Sequence, residues 1–192
     1  MARGTVPSIL GLLSWYPMSG YELKATMEGS IGNFWSESFG QIYPELHRLE
    51  KEGLVTSQAE PGENPKAKRR YSITEAGREA LREWVAEPPK ERPPRNELLL
   101  KIFFGLRTDP ERLLLYVQEA RKRVEQRVQV INRNEANLRS QYSDNPHLPY
   151  WLMTARNGLL HYQAMLVWCD ETIVELEKLA AASKTSHQVS PQ

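Results

Sequence analysis

Gly40, Gln41, Pro44, His47, Arg48 and Lys51 fall on one side of a helical wheel drawn over residues 38–53. They are small, hydrogen-bonding or cationic, with almost no acid among them. That is the chemistry needed to meet base edges and phosphates in a DNA major groove. Ile42, Leu46 and Leu49 recur on the opposite side at helical spacing, with Phe39 extending the stripe, so that side is built for a core. Gln41 has the donor and acceptor for a bidentate contact to adenine, and Arg48 has the paired donors for guanine. Ser38, Tyr43 and His47 can donate to phosphates or bases. Tyr21 and Lys24, near the start of the preceding helix, are placed to touch the DNA backbone. Lys66, Lys68, Arg69 and Arg70 form a local basic knot that supplies salt-dependent, sequence-blind attraction.

Each assignment competes with a plainer one. Gln41 follows Ser38 by three residues, so it either closes a capping box or reads a base. Tyr43 sits at the edge of the apolar stripe and suits the core as well as DNA. Arg48 pairs either with DNA or with Glu45 and Glu52 on its own helix, at about 0.2–0.5 kcal/mol per pair. Bulk charge does not decide the matter. Residues 1–86 hold 10 Lys+Arg against 11 Asp+Glu, a balance of −1, so only the distribution of charge can attract a polyanion.

Catalysis finds little footing. His161 and Cys169 are eight residues apart, about two turns of one helix, and Cys169 falls in an apolar seam where a thiol is inert. The chain has no nucleophile elbow, no glycine-rich phosphate loop and no paired metal ligands, so neither enzyme activity, metal nor cofactor is expected. The single cysteine excludes an intrachain disulfide framework. With 192 residues, 40% apolar and 26% charged, the composition is that of a soluble globular protein of one or two domains. No apolar run approaches a membrane span and the start lacks a signal-peptide pattern, so a cytoplasmic protein is expected.

The elements that must position the helix are readable in outline. Thr5 is expected to cap a first helix with Pro7 in its first turn. Ser19-Gly-Tyr-Glu22 is a capping box, and Met18 before it can staple onto Leu23. The second helix is expected over residues 21–27, and Phe34 and Trp35 are expected to anchor the crossing to the third. Gly53 stops that third helix, letting Leu54 fold back on Leu49. Pro44 demands either a later start or bent first turns. Residues 54–59 and 70–73 read as two strands of a hairpin, and Thr74 caps a fourth helix through Leu81, Trp84 and Val85. The order is that of a winged helix-turn-helix over residues 1–86.

Four prolines in residues 87–95 mark a semi-rigid linker. Residues 96–182 read as a helical domain, capped at Asn96 and opened again at Asp109-Pro110. Its last helix carries Leu152, Ala155, Leu159, Tyr162, Leu166, Cys169, Ile173 and Leu176 in alternating steps of three and four, a coiled-coil seam assigned to dimerisation. Trp151, Gly158, Met165 and Trp168 form a second strip beside it, so the helix needs two neighbours: the 109–139 helix and, most simply, a second copy of the chain. Trp151, Met165 and Trp168 suit either a dimer core or an effector pocket. Residues 183–192 read as a disordered tail. The expected class is mainly α with a small β wing, an N-terminal winged helix-turn-helix followed by a coiled-coil-like helical domain.

The runs Pro17-Met-Ser-Gly-Tyr-Glu-Leu23, Phe34-Trp35, Gly40-Gln-Ile-Tyr-Pro-Glu-Leu-His-Arg-Leu-Glu-Lys-Glu-Gly-Leu-Val55 and Arg70-Tyr-Ser-Ile-Thr-Glu-Ala-Gly77 resemble the PadR family of winged-helix transcriptional regulators. The second half is similar to the longer virulence-activator-like C-terminal domain of one PadR subgroup, through residues 152–168 and Asp170-Glu171. The resemblance implies a homodimer on a palindromic double-stranded operator, often a repressor relieved by a planar or amphipathic small effector. The rival reading is a helical protein–protein adaptor that keeps the winged scaffold without binding DNA.

Overall fold

A computed structural model of the chain describes residues 4–32, 34–59, 69–90 and 95–188, with side chains as far as residue 184. It divides into two units, Met1–Arg92 and Pro93–Gln192, within the proline-rich segment.

In the first unit, α1 (Thr5–Leu13) buries Ile9, Leu10 and Leu13 in the core. Thr5 is not the cap expected of it. Gly4 occupies that position, and the Thr5 hydroxyl instead donates to Glu37 Oε1 at 2.8 Å. The acceptor lies 32 residues away, which local patterning cannot see. The capping box of α2 (Gly20–Ser30) forms as read: Glu22 Oε2 accepts from the Ser19 amide at 2.7 Å, and Ser19 Oγ accepts from the Glu22 amide at 3.2 Å. Met18 and Leu23 are fully buried beside it. In the crossing to the third helix, Trp35 packs on the core and its Nε1 donates to Glu37 Oε1 at 3.0 Å. Phe34, expected as a second anchor, is exposed.

Helix α3 (Phe39–Lys51) starts at Ser38 and passes through Pro44 without interruption. The amides of Gln41 and Ile42 both reach the Ser38 carbonyl, at 2.9 and 3.0 Å. Pro44 has no N–H to offer the carbonyl of Gly40, so one helical bond is forgone in the second turn. The helix ends in a Schellman arrangement. Gly53 takes φ 72°, the Leu54 amide donates to the Leu49 carbonyl at 2.9 Å and the Gly53 amide to Glu50 at 3.1 Å.

Strands β2 (Val55–Ala59) and β3 (Arg69–Ile73) pair antiparallel from Val55 opposite Ile73 to Ala59 opposite Arg69. A third strand, β1 (Met18–Ser19), was not expected; it pairs with β3, giving the order β1-β3-β2. Two residues carry no period, so β1 is invisible to patterning. Lys66 and Lys68 lie outside the described residues. Thr74 caps α4 (Glu75–Ala86), its Oγ1 accepting from the Gly77 amide at 3.1 Å. Leu81 packs on the core, whereas Trp84 and Val85 are exposed.

The second unit begins with α5 (Glu97–Phe103), capped by Asn96, followed by a single 3-10 turn, Gly105–Arg107. Helix α6 (Pro110–Gln141) is capped by Asp109, which accepts from the Glu111 amide at 2.9 Å. Helix α7 (Leu148–Gln188) returns antiparallel to it: Gly158 lies against Ile131, Arg121 pairs with Asp170, and Lys184 pairs with Glu111. The heptad seam is therefore covered in part from within the chain. Leu159, Cys169 and Leu176 are buried, and Cys169 and Leu176 share a cluster with Leu113 and Val117 of α6. Helix α6 covers one side of the seam assigned to dimerisation from Leu152 to Leu176, where Leu152, Ala155, Tyr162, Leu166 and Ile173 stay half-buried. Periodicity shows that a helix has a partner, not which chain supplies it. Helix α7 also continues to Gln188, past the end expected at Ala182.

Candidate nucleic-acid interface

Helix α3 is divided cleanly. Ile42, Leu46 and Leu49 are 0% exposed, locking one face to α1, α2 and the sheet. Gly40, Gln41, Pro44, His47 and Lys51 are exposed on the other face, with Arg48 partly so and Ser38 exposed at the cap. His47 and Lys51 make no ion pair among the described residues. Phe39, expected to extend the buried stripe, is 42% exposed. It opens the helix, so no preceding turn covers it.

The capping question at Gln41 is answered by geometry. Its Oε1 accepts from the Ser38 amide and from the Ser38 hydroxyl, both at 2.9 Å. Ser38 and Gln41 are thus partly committed to each other. The acceptor half of the Gln41 amide is occupied, so the bidentate contact to adenine is not available in this conformation. The NH2 group is left to act as a donor, which suits a phosphate or a guanine acceptor.

Arg48, Arg69, Arg70 and Lys24 are held by acids. Arg48 Nε donates to Glu45 Oε2 at 2.8 Å, and its terminal nitrogens pair with Glu45 at 2.7 Å and Glu52 at 2.8 Å. The hydrogen bond that Arg48 donates to Glu45 is the main cause of a guanidinium pKa raised above its ordinary value. Arg69 pairs with Glu50 at 3.2 Å. Arg70 donates to the Pro17 carbonyl at 2.7 Å and pairs with Glu22 at 3.1 Å. Lys24 pairs with Glu28 at 2.7 Å. Among the described residues, Lys51 apart, the surface is thus organised as acid-bridged cations. The Glu45 and Glu52 partners were legible at spacings of three and four. The Glu50 and Glu22 partners were not, because the sheet brings them together.

Tyr21, Phe39 and Tyr43 form an exposed aromatic row across the starts of α2 and α3, with adjacent centroids 6.2 Å apart. Tyr43 therefore belongs to the surface and not to the core. Phe39 is the member that sequence reasoning missed, because its spacing matches the apolar stripe.

In the second unit, Trp151, Met165 and Trp168 do not line a common pocket. Trp151 meets Tyr142 edge-on at 5.5 Å and stacks on His147 at 5.8 Å, whereas Trp168 packs beside Leu113, Val117 and Cys169. Seventeen residues along one helix put them about 25 Å apart. An open groove of about 430 Å³ lies elsewhere, between the start of α6 and the end of α7, lined by residues that include Leu114, Ala180 and Lys184. Leu152, Ala155, Tyr162, Leu166 and Ile173 are half-buried on the seam. Met153, Leu160, Val167 and Val174, by contrast, recur every seventh residue on the outward side of α7 and are exposed. Burial pushes the Cys169 thiol pKa up, which disfavours the reactive thiolate. Among the described residues no cluster of His, Cys, Asp and Glu is placed to hold a metal, and no helix is long and apolar enough to cross a membrane.

Comparison with known proteins agrees with this geometry. The profile of the transcriptional regulator PadR-like family matches residues 9–83, and that of the virulence activator alpha C-terminal domain matches residues 94–177. The negative transcriptional regulator PadR of Bacillus subtilis is 34% identical over 98 residues, covering 50% of this chain and 54% of that protein. The chain spans about half the length of the curated relatives it matches. The structure of the Vibrio cholerae virulence activator AphA is 31% identical, with a TM-score of 0.69 over 91% of this chain and 99% of that one. Bacillus subtilis PadR in complex with operator DNA shares the fold at 22% identity, with a TM-score of 0.78 over 92% and 99% of the two chains. The same protein has also been solved with p-coumaric acid, at a TM-score of 0.70 over 91% of this chain and 99% of that one. With a PadR-like first half, a virulence-activator second half and a 31%-identical relative matched along its whole length, the chain belongs to the PadR-like family of transcriptional regulators.

Proposed function

We propose that the chain is a sequence-specific, double-stranded-DNA-binding regulator, a homodimer that represses transcription from a palindromic operator and responds to a small-molecule effector. The observation that carries this reading is the division of α3, three fully buried leucine and isoleucine side chains on one face and His47, Pro44, Lys51 and Gln41 exposed on the other. A helix held so firmly on one side can enter a major groove with the other. Arg48 reads a base edge once DNA displaces its carboxylates. His47, Lys51, Tyr43 and Ser38 supply further contacts to bases or phosphates. Tyr21, Lys24, Arg69 and Arg70 meet the backbone, joined by Lys66 and Lys68. The operator complex of the Bacillus protein supports the DNA partner and its p-coumaric acid complex supports an effector. The outward strip Met153, Leu160, Val167 and Val174 supports the dimer, with its heptad spacing and its exposure in the single chain. The protein acts where the DNA is, in the cytoplasm.

The division of labour is testable on an operator selected from random DNA. Arg48→Ala should relax preference at one base position, by about 1–3 kcal/mol of lost discrimination. Arg69→Ala should weaken binding to all sequences and lower the salt slope by about one. Identical profiles for the two variants, or no mobility shift of any DNA at low salt, would sink the reading.

A further inference from the structure

We propose that Phe39, clamped in the row Tyr21–Phe39–Tyr43, reads the 5-methyl group of a thymine in the major groove. The inference rests on the DNA-binding reading above and adds a specificity determinant to it.

Phe39 is the first residue of α3, at the end of a recognition helix where base-reading side chains gather. Its Cα–Cβ bond tilts toward the helix N-terminus, so the ring projects ahead of the first turn. The ring is 42% exposed and is not part of the core cluster, although its spacing would suit that cluster. Two neighbours hold it. Tyr21 lies at a centroid distance of 6.2 Å and an interplanar angle of 14°, and Tyr43 at 6.2 Å and 25°. Both distances fall within the range of about 4.5–7 Å for favourable aromatic pairs. Tyr43 is in turn seated over Gly20, where a Cβ would stand 2.7 Å from the ring. The row is therefore fixed to the backbone of α2, and Phe39 is presented as a preorganised apolar surface.

A phenyl ring has no donor or acceptor for a base edge. The only apolar feature that the four base pairs offer in the major groove is the thymine methyl. Beside Phe39, the Gln41 acceptor and the Ser38 hydroxyl bond to each other, which leaves the Gln41 NH2 group as a donor only. Apolar reading at the leading end of α3 thus falls to Phe39, beside the Gln41 donor, with the Tyr21 and Tyr43 hydroxyls left to approach phosphates.

Replacing thymine by uracil removes that methyl and nothing else. Each thymine of the selected operator is replaced in turn, one half-site at a time, and titrated with the wild-type protein. One position per half-site should lose about fourfold in affinity, the worth of one buried carbon. Phe39→Ala should bind the thymine operator more weakly and no longer distinguish thymine from uracil there. Phe39→Leu, apolar but not aromatic, should keep the distinction. Far-ultraviolet circular dichroism of both variants reports that the domain is folded. Indifference of the wild type to uracil at every position overturns the proposal, as does a full uracil penalty in Phe39→Ala. Specific binding that ignores uracil defeats only this inference, whereas no shift of any DNA defeats the regulator reading as well.

Discussion

Arg48 meets its carboxylates before it meets DNA. Glu45 and Glu52 sit three residues before and four after it, so the helix itself presents them at hydrogen-bonding distance. In a protein whose first 86 residues balance to −1, such pairs are, on the proposed reading, internal phosphate substitutes for DNA to displace. Each exposed pair is worth only about 0.2–0.5 kcal/mol, so displacement is easy, but the acid then faces a phosphate of like charge. Glu45→Gln is accordingly expected to tighten operator binding about twofold at low salt, by the size of one such pair. The gain should vanish as salt screens the surface. Fluorescence anisotropy at two salt concentrations measures both effects. Weaker binding by Glu45→Gln would mean that the carboxylate aims the guanidinium instead of competing for it. The Arg48 partners could be read from spacing alone. The commitment of Gln41 to Ser38 could be read only as an alternative, because a base contact and a cap use the same amide.

Helix α3 must stand firm to present these side chains, and its supports differ in how visible they were. Ser38, Gly53 and the Ser19 box are local signals, each decided within a few residues, and the structure keeps all three. Glu37 gave no such signal. Its buried carboxylate gathers the Thr5 hydroxyl and the Trp35 indole, tying α1 to the crossing that delivers α3. Hydrogen bonds to a charged acceptor contribute about 1.5–3 kcal/mol each, and removal of the acceptor strands the donors. Glu37→Ala should therefore destabilise the first unit by about 2 kcal/mol or more, seen as a lower denaturant midpoint at unchanged slope. An unaltered midpoint would show that Thr5 and Trp35 find other acceptors. The two-residue strand β1 and the pairing of Arg69 with Glu50 were hidden for the same reason as Glu37. Each depends on segments brought together by the fold, not on a period within one of them.

At the scale of the whole molecule, the heptad along α7 was legible and its occupant was not. A 3-4 pattern states that an apolar seam is covered, and α6 of the same chain covers one side of it. Open to a second copy are the half-buried seam positions Leu152, Ala155, Tyr162, Leu166 and Ile173 and the exposed outward strip at Met153, Leu160, Val167 and Val174. These neighbouring faces make contrasting predictions. Leu159→Asp buries a carboxylate in the α6–α7 seam and should cost helical structure, seen by circular dichroism, whatever the oligomeric state. Leu160→Asp, one residue away but outward, should leave the helical signal within error while shifting sedimentation from dimer to monomer. Operator affinity should fall with it, because a palindrome rewards only two tethered readers. Val167→Asp, two turns further on, should repeat the result. Dimers that persist in both outward variants would place the interface elsewhere on the second unit, with the exposed Leu99, Phe103 and Leu106 at and after α5 the next surface to disrupt.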